Sequence, residues 1–240
     1  MTAFHAPSLP GARQLGQLMC DATRHRLWRP ARDWLQERAP GSELVCRVGS
    51  GQATYHRFDP ARRQHLITYG VRMIAAKHQP DSAHGWLSAR EILKRGYFGG
   101  ELSTLNLLAH TCCHEFAHLL QYNAGQRSYG SVHNRHFYRI LDQLHASGGA
   151  DATRRFLAEQ SQALAIPLPA TPFATADGHL QAHDWQVGEA VYFRHGTRRH
   201  DGEIIRVNRK TCTVQCSGLS RGLRYRVPWS LLRRPEPPTP

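Results

Sequence analysis

His114-Glu115-Phe116-Ala117-His118 sets two histidines four residues apart within a stretch, 103–125, that reads as one continuous helix. Residues four apart on a helix share a face about one turn from each other, so both imidazoles can reach one metal ion. Glu115 stands beside the first histidine and is not needed as a ligand, which leaves its carboxylate free to take a proton from a metal-bound water. These residue types at this spacing predict the chemistry of a zinc hydrolase. About 0.04 matches to H-E-x-x-H are expected by chance in a chain of this composition, so the surrounding residues must carry the assignment.

A catalytic zinc requires a third protein ligand and an open position for water. The spacing H-E-x-x-H-x-x-G-x-x-H is absent, because Gln121 and Ala124 stand where its glycine and histidine are required. A glutamate from a later helix is a second source, and Glu159 is the only one between Glu115 and Glu189. His133 is the third and preferred source, fifteen residues after His118 at the start of the next helix, where the intervening loop 125–132 can fold it back over the first. His136, three residues further on, is its rival. His110 also lies four before His114, but a row of three turns carries it away from an ion held by the two later residues. It is expected as a core or supporting group.

His114-Glu115-x-x-His118 followed by His133-Asn134-x-x-Phe137 resembles the SprT-like metalloprotease family, to which the DNA–protein crosslink protease Spartan belongs. The family pattern is H-E-x-x-H and then, after a loop, H-G-x-x-F. Asn134 stands where glycine is usual, and asparagine is the residue other than glycine that best tolerates a left-handed backbone. The resemblance covers roughly residues 40–165, with its specific motifs confined to 109–144. It implies a zincin-like α+β domain, mostly helical with a small sheet, in which His114, His118 and His133 bind one Zn2+ per chain. Glu115 would be the general base, Phe137 would pack under the site, and the substrate would be a protein or peptide. Tyr122, Tyr129 and Tyr138 are candidates for an oxyanion-stabilising hydroxyl.

The elements that position these residues follow from periodicity. Leu15, Leu18, Met19 and Ala22 fall at helical spacing within 11–38, and Pro30 separates them from a second short helix with Trp34 and Leu35. Segments 53–58 and 65–69 read as adjacent strands around Asp59-Pro60. Leu66-Ile67-Thr68-Tyr69 is either an ordinary core strand or a sheet edge to which an extended substrate could add. Val71 to Lys77 continues as a helix, and Ser88-Ala-Arg-Glu91 has capping-box spacing ahead of another. The helix around 104–125 is apolar on much of its circumference and is expected at the centre, where its polar groups need a partner such as a metal. Helices with Phe137, Ile140, Leu141 and Leu144, and then with Phe156, Leu157 and Leu164, follow it.

The 240 residues carry 40% apolar content, enough to bury a core, and a formal charge of +13. No run of about 18 apolar residues occurs and the N-terminus lacks a signal core, which points to a cytoplasmic protein with no membrane partner. The six cysteines form no C-x-x-C pair and are expected as buried apolar filler, with neither a disulfide framework nor a thiolate metal site. Proline-bearing residues 166–182 form a linker. The division expected is 1–40, N-terminal helices packing on the catalytic domain; 41–165, the SprT-like domain; 166–182, the linker; and 183–240, a small basic β module.

That module carries 11 Lys+Arg against 5 Asp+Glu and shows four or five short alternating segments. It resembles SH3-like barrels of the KOW and Tudor kind, which implies DNA or RNA, or a protein tail, as a partner. Arg206, Arg209, Lys210, Arg224 and Arg226 are its candidate phosphate contacts, while Tyr192, Phe193, Tyr225 and Trp229 are expected as barrel core. The family's usual cysteine zinc ribbon is missing, so functions tied to it do not carry over. Two functions are open to these residues: a metallopeptidase acting on proteins at or near nucleic acid, or a zinc-containing nucleic-acid-binding or scaffold protein with little or no catalysis.

Overall fold

The computed structural model describes residues 8–83, 85–127, 131–173, 185–195, 198–208 and 211–235. It is a mixed α+β structure with two small sheets, and the chain divides into two compact units, Met1–Phe173 and Ala174–Pro240. Arg209, Lys210, Tyr129 and residues 174–182 of the linker lie outside the described residues.

In the first unit, α1 (Leu9–Ala22) is capped by Ser8, whose side chain accepts from the Gly11 amide, and it runs on into a π-helical turn, Thr23–Trp28. Thr23 Oγ1 bonds the Met19 carbonyl at 2.8 Å and the Tyr69 hydroxyl at 2.6 Å, which ties this turn to the sheet behind it. After α2 (Arg32–Arg38) come β1 (Glu43–Gly49), β2 (Tyr55–Asp59) and β3 (Gln64–Gly70). The sheet order is β1-β3-β2, with β1 parallel and β2 antiparallel to β3. Leu66-Ile67-Thr68-Tyr69 is therefore paired on both sides, and the edge beside the second hairpin strand belongs to β2. Of the two readings of 66–69, the ordinary core strand holds and the sheet edge does not: β1, which alternation did not single out, occupies its other side.

The link from β1 to β2 crosses the end of β3. A Cβ on Gly70 would lie 2.6 Å from the Gly51 carbonyl oxygen and 2.8 Å from that of Ala53, so only glycine permits the crossing. The Gly70 amide donates to Thr54 Oγ1 at 3.1 Å, which fixes where β2 begins.

The helices α3 (Val71–Ala76), α4 (Pro80–Ala83) and α5 (Leu87–Arg95) follow. The start of α5 differs from the capping-box reading: its N-cap is Trp86, Ser88 lies inside the helix, and the Ser88 hydroxyl accepts from Lys77. Next comes α6 (Thr104–Asn123), capped by Ser103 and buried along most of its length, with Leu107, Leu108, Phe116 and Leu119 fully enclosed. It packs against α7 (Arg135–Ala146), α8 (Gly149–Ala163), α5 and β2. The residues of α1 belong to the same core as those of α6.

The second unit is an antiparallel meander, β4 (Ala190–His195), β5 (Arg198–Val207), β6 (Thr211–Cys216) and β7 (Arg224–Pro228), with a bulge at Ile204/Arg206. Its core holds Trp185, Val191, Phe193, Ile204, Cys212, Val214, Cys216 and Val227. All six cysteines are buried and free. Among the described residues no helix is long and apolar enough to cross a membrane.

Candidate metal centre

Consecutive turns of α6 bring His114 and His118 to one face, and the residues leading into α7 fold His133 onto them. His133 Nε2 lies 3.1 Å from His118 Nε2 and 3.1 Å from His114 Nε2, and the three ligand atoms are all within 4.8 Å of one another. Tetrahedral nitrogen ligands at about 2.0–2.1 Å from zinc are separated by about 3.3 Å, so the spacing fits a single ion.

The proton positions follow from Glu91, on α5. Its Oε2 lies 2.9 Å from His114 Nδ1 and 2.9 Å from His110 Nε2. Burial pulls the Glu91 carboxyl up, but the hydrogen bonds from His110 and His114 hold it well below the usual carboxylate range. An ionised carboxylate only accepts, so both ring nitrogens donate to it. In the neutral ring, His114 then turns the Nε2 lone pair toward His133 and His118. A carboxylate that fixes the tautomer and raises the basicity of a ligating imidazole is the usual support of a metal-bound histidine.

His118 is pushed down to about 3 by burial, with His114 and His133 adding to the effect. Burial and His114 lower His133 as well. Ring nitrogens that face each other at 3.1 Å can share a ring N–H as a hydrogen bond or, with their lone pairs turned inward, point at a common cation. The donor set and its spacing can thus hold a metal ion. His118 Nδ1 and Gln121 Oε1 are buried without a conventional partner, and Gln121 acts on the titration of His118.

The support around the three rings is built from α6 and α7 together. The Phe137 ring centroid lies 4.9, 4.4 and 4.9 Å from those of His114, His118 and His133. Asn134 caps α7: its Oδ1 accepts from the His136 and Phe137 amides at 3.0 and 3.1 Å, and from Gln121 Nε2 at 3.1 Å. Its φ is −84°, so the left-handed backbone expected at this position is corrected. Asparagine serves here as a cap and as a tether to α6.

Glu115 is buried and lines a cavity of about 310 Å³ together with His114, His118, His133, Lys77 and Trp86. Burial raises its carboxyl, while His114 and Lys77 act in the opposite sense. The edge strand β2 contributes Tyr55 and His56 to the same cavity.

Other candidates are placed elsewhere. His110 is fully buried between Glu91 and His145, whose Nε2 is 3.1 Å from His110 Nδ1. Glu91, His110 and His114 form a second group close enough for a metal, but its contacts are the hydrogen bonds just described. His136 joins neither group, and Glu159 is exposed on α8. Tyr122 packs on Phe58, and Tyr138 lies under Arg95 with Glu91 acting on its hydroxyl. Spacing alone passed over Glu91 and Lys77. The available signal was a charged residue on the apolar side of a short helix: Glu91 adjoins Ile92, and Lys77 follows Met73 and Ile74 by four and three residues.

In the second unit Arg206, Arg224 and Arg226 are exposed. Pairing sets Arg206, Thr213 and Arg226 in one row across β5, β6 and β7, and Arg224 donates to Gln215 Oε1 at 2.7 Å. Phe193, Tyr225 and Trp229 belong to the core or pack against it, and Arg199 stacks on Tyr192 at 3.8 Å. Comparison with known proteins gives no match to a family model, a curated protein or a solved structure.

Proposed function

We propose that this protein is a zinc-dependent metallopeptidase of the SprT-like, zincin-like kind, acting on proteins at or near nucleic acid. The observation that carries the reading is the convergence of His114, His118 and His133 Nε2 on one cavity that Glu115 also lines. Three imidazoles suit zinc, which supplies Lewis acidity and lowers the pKa of a water bound to it. Glu91 orients His114, and Phe137 keeps the three rings packed. Glu115 takes a proton from the attacking water and returns it to the departing amide nitrogen; a buried carboxyl with a raised pKa suits both halves of that transfer. β2, the last strand of the described sheet, borders the cavity and is where an extended peptide can add a strand.

Location at nucleic acid is supported by the exposed Arg206, Arg224 and Arg226 on a sheet whose aromatic residues are largely taken up by its core, an arrangement suited to phosphate contacts on an SH3-like barrel. Arg209 and Lys210 extend the same charge in sequence. The same exposed arginines also fit a zinc-containing binding or scaffold protein without catalysis.

Glu115→Gln separates the two. The variant is expected to keep one zinc per chain and to lose peptide cleavage by about 10²–10⁴-fold, read by elemental analysis and by mass spectrometry of a digested protein substrate. Unchanged cleavage by the variant removes Glu115 as the base, and a wild-type protein that holds zinc and cleaves nothing with or without DNA removes the peptidase.

A further inference from the structure

Lys77 closes α3 on the same face as Met73 and Ile74, and only 2% of it is exposed. Nζ donates to Ser88 Oγ at 2.9 Å and to Thr111 Oγ1, and it lies 5.5 Å from the centroid of Trp86. Thr111 Oγ1 passes its own proton to the Leu107 carbonyl at 2.7 Å, so it acts as an acceptor for the lysine. Among the described residues no carboxylate forms an ion pair with Lys77. An ammonium carries three donors, and two neutral hydroxyls leave one donor and the charge unmatched. An enclosed cation with no carboxylate in direct contact is costly.

The unmatched group opens on the cavity that holds His114, Glu115, His118 and His133. Thr111 and Glu115 are four apart on α6, so the residue that holds the Lys77 ammonium stands about one helical turn, roughly 5–6 Å between Cβ atoms, from Glu115 on the side away from His118. That is close to the reach of one residue along a peptide held at the site. Glu115 influences Lys77 without bonding it: burial takes the ammonium down to about 7 and Glu115 opposes this. An anion in the cavity would keep the proton in place.

We infer that Lys77 is an anchor for a carboxylate of the bound peptide, one residue from the bond to be cleaved, set by Ser88 and Thr111. The peptide as ligand rests on the peptidase reading; the carboxylate comes from an acidic side chain or from the chain terminus.

The test uses the zinc-loaded full chain carrying Glu115→Gln and three acetylated peptides alike except at one site: an internal Glu with an amidated end, an internal Gln with an amidated end, and that Gln peptide with a free terminal carboxylate. One of the two anionic peptides should bind about tenfold or more tighter than the neutral one, and which of them does so identifies the source. The advantage should vanish on adding Lys77→Met or Lys77→Gln. In protein unaltered at position 77, the ¹⁵Nζ resonance of Lys77 should move with the favoured peptide and stay with the neutral one. Equal affinity of all three, an advantage that survives loss of the lysine, or an unmoved resonance overturns the anchor. A carboxylate advantage without cleavage by the wild type removes the peptidase and leaves the anchor standing. Cleavage without the advantage does the reverse.

Discussion

The two units of this chain handle polar groups in opposite ways. Met1–Phe173 buries them: Glu91, His110, Glu115, His118, Lys77, His56 and His65 all lie within its core or at its cavity. In Ala174–Pro240 the described core is apolar, His200 is the single buried polar residue among those described, and Arg194, Arg199, Arg206, Arg224 and Arg226 of the sheet are exposed. Polar groups shielded from water interact strongly and must each find a partner, whereas exposed cations interact weakly and remain available to one. The first arrangement suits chemistry on a held ligand. The second suits reversible attachment to a polyanion.

The largest effect expected from this contrast is loss of the metal. His118→Ala should reduce bound zinc from about one per chain to none and abolish cleavage, measured by elemental analysis after gel filtration. Retention of stoichiometric zinc would break the assignment of the inner cluster. Next, Glu91→Gln removes the carboxylate that fixes His114. Zinc affinity should fall about 10- to 100-fold in chelator competition, and an unchanged affinity would leave Glu91 a packing residue only.

A smaller and broader effect is acid sensitivity. Burial lowers His56 to about 3, His65 to about 4, His110 to about 4 and His145 to about 3. An unfolded imidazole titrates near 6.5, so between about pH 6.5 and 4 the unfolded chain binds protons that the folded unit does not. Stability of the first unit therefore falls as pH drops through that window. In the metal-free chain, hydrogen exchange corrected for intrinsic rates should show β2, β3 and α6 losing protection while β5 and β6 keep theirs. Earlier loss from β6 would invert the comparison. The smallest effects belong to the outer arginines: alanine at Arg206, Arg224 or Arg226 should each flatten the salt dependence of nucleic-acid binding by about one unit of slope, with zinc content unmoved.

How much of this was legible in the sequence follows the range of the interaction. His114, Glu115 and His118 were readable because one helical period relates them, and His133 because one loop separates it from them. The second unit's strands were readable from alternation. What sequence reading placed wrongly depended on partners distant in the chain. β1, the partner that makes 66–69 an inner strand, was missed because its burial pattern is mixed and interrupted by Arg47. Ser88 looked like a cap until Lys77, eleven residues before it, claimed its hydroxyl. Asn134 looked like a substitute for glycine, yet its side chain is engaged by Gln121, thirteen residues earlier.

That last contact bears on how the metal arrives. Gln121 Nε2 also donates to the Val132 carbonyl at 3.0 Å, and Asn134 Nδ2 donates to the Gln126 carbonyl at 3.1 Å, so side-chain amides tie the end of α6 to the residues that lead into α7. These contacts require no ion to form. On the proposed zinc reading, uptake would be a local ligation with little surface withdrawn from water, and calorimetric titration of the metal-free chain should give a heat capacity change far below that of a peptide that folds around its ion.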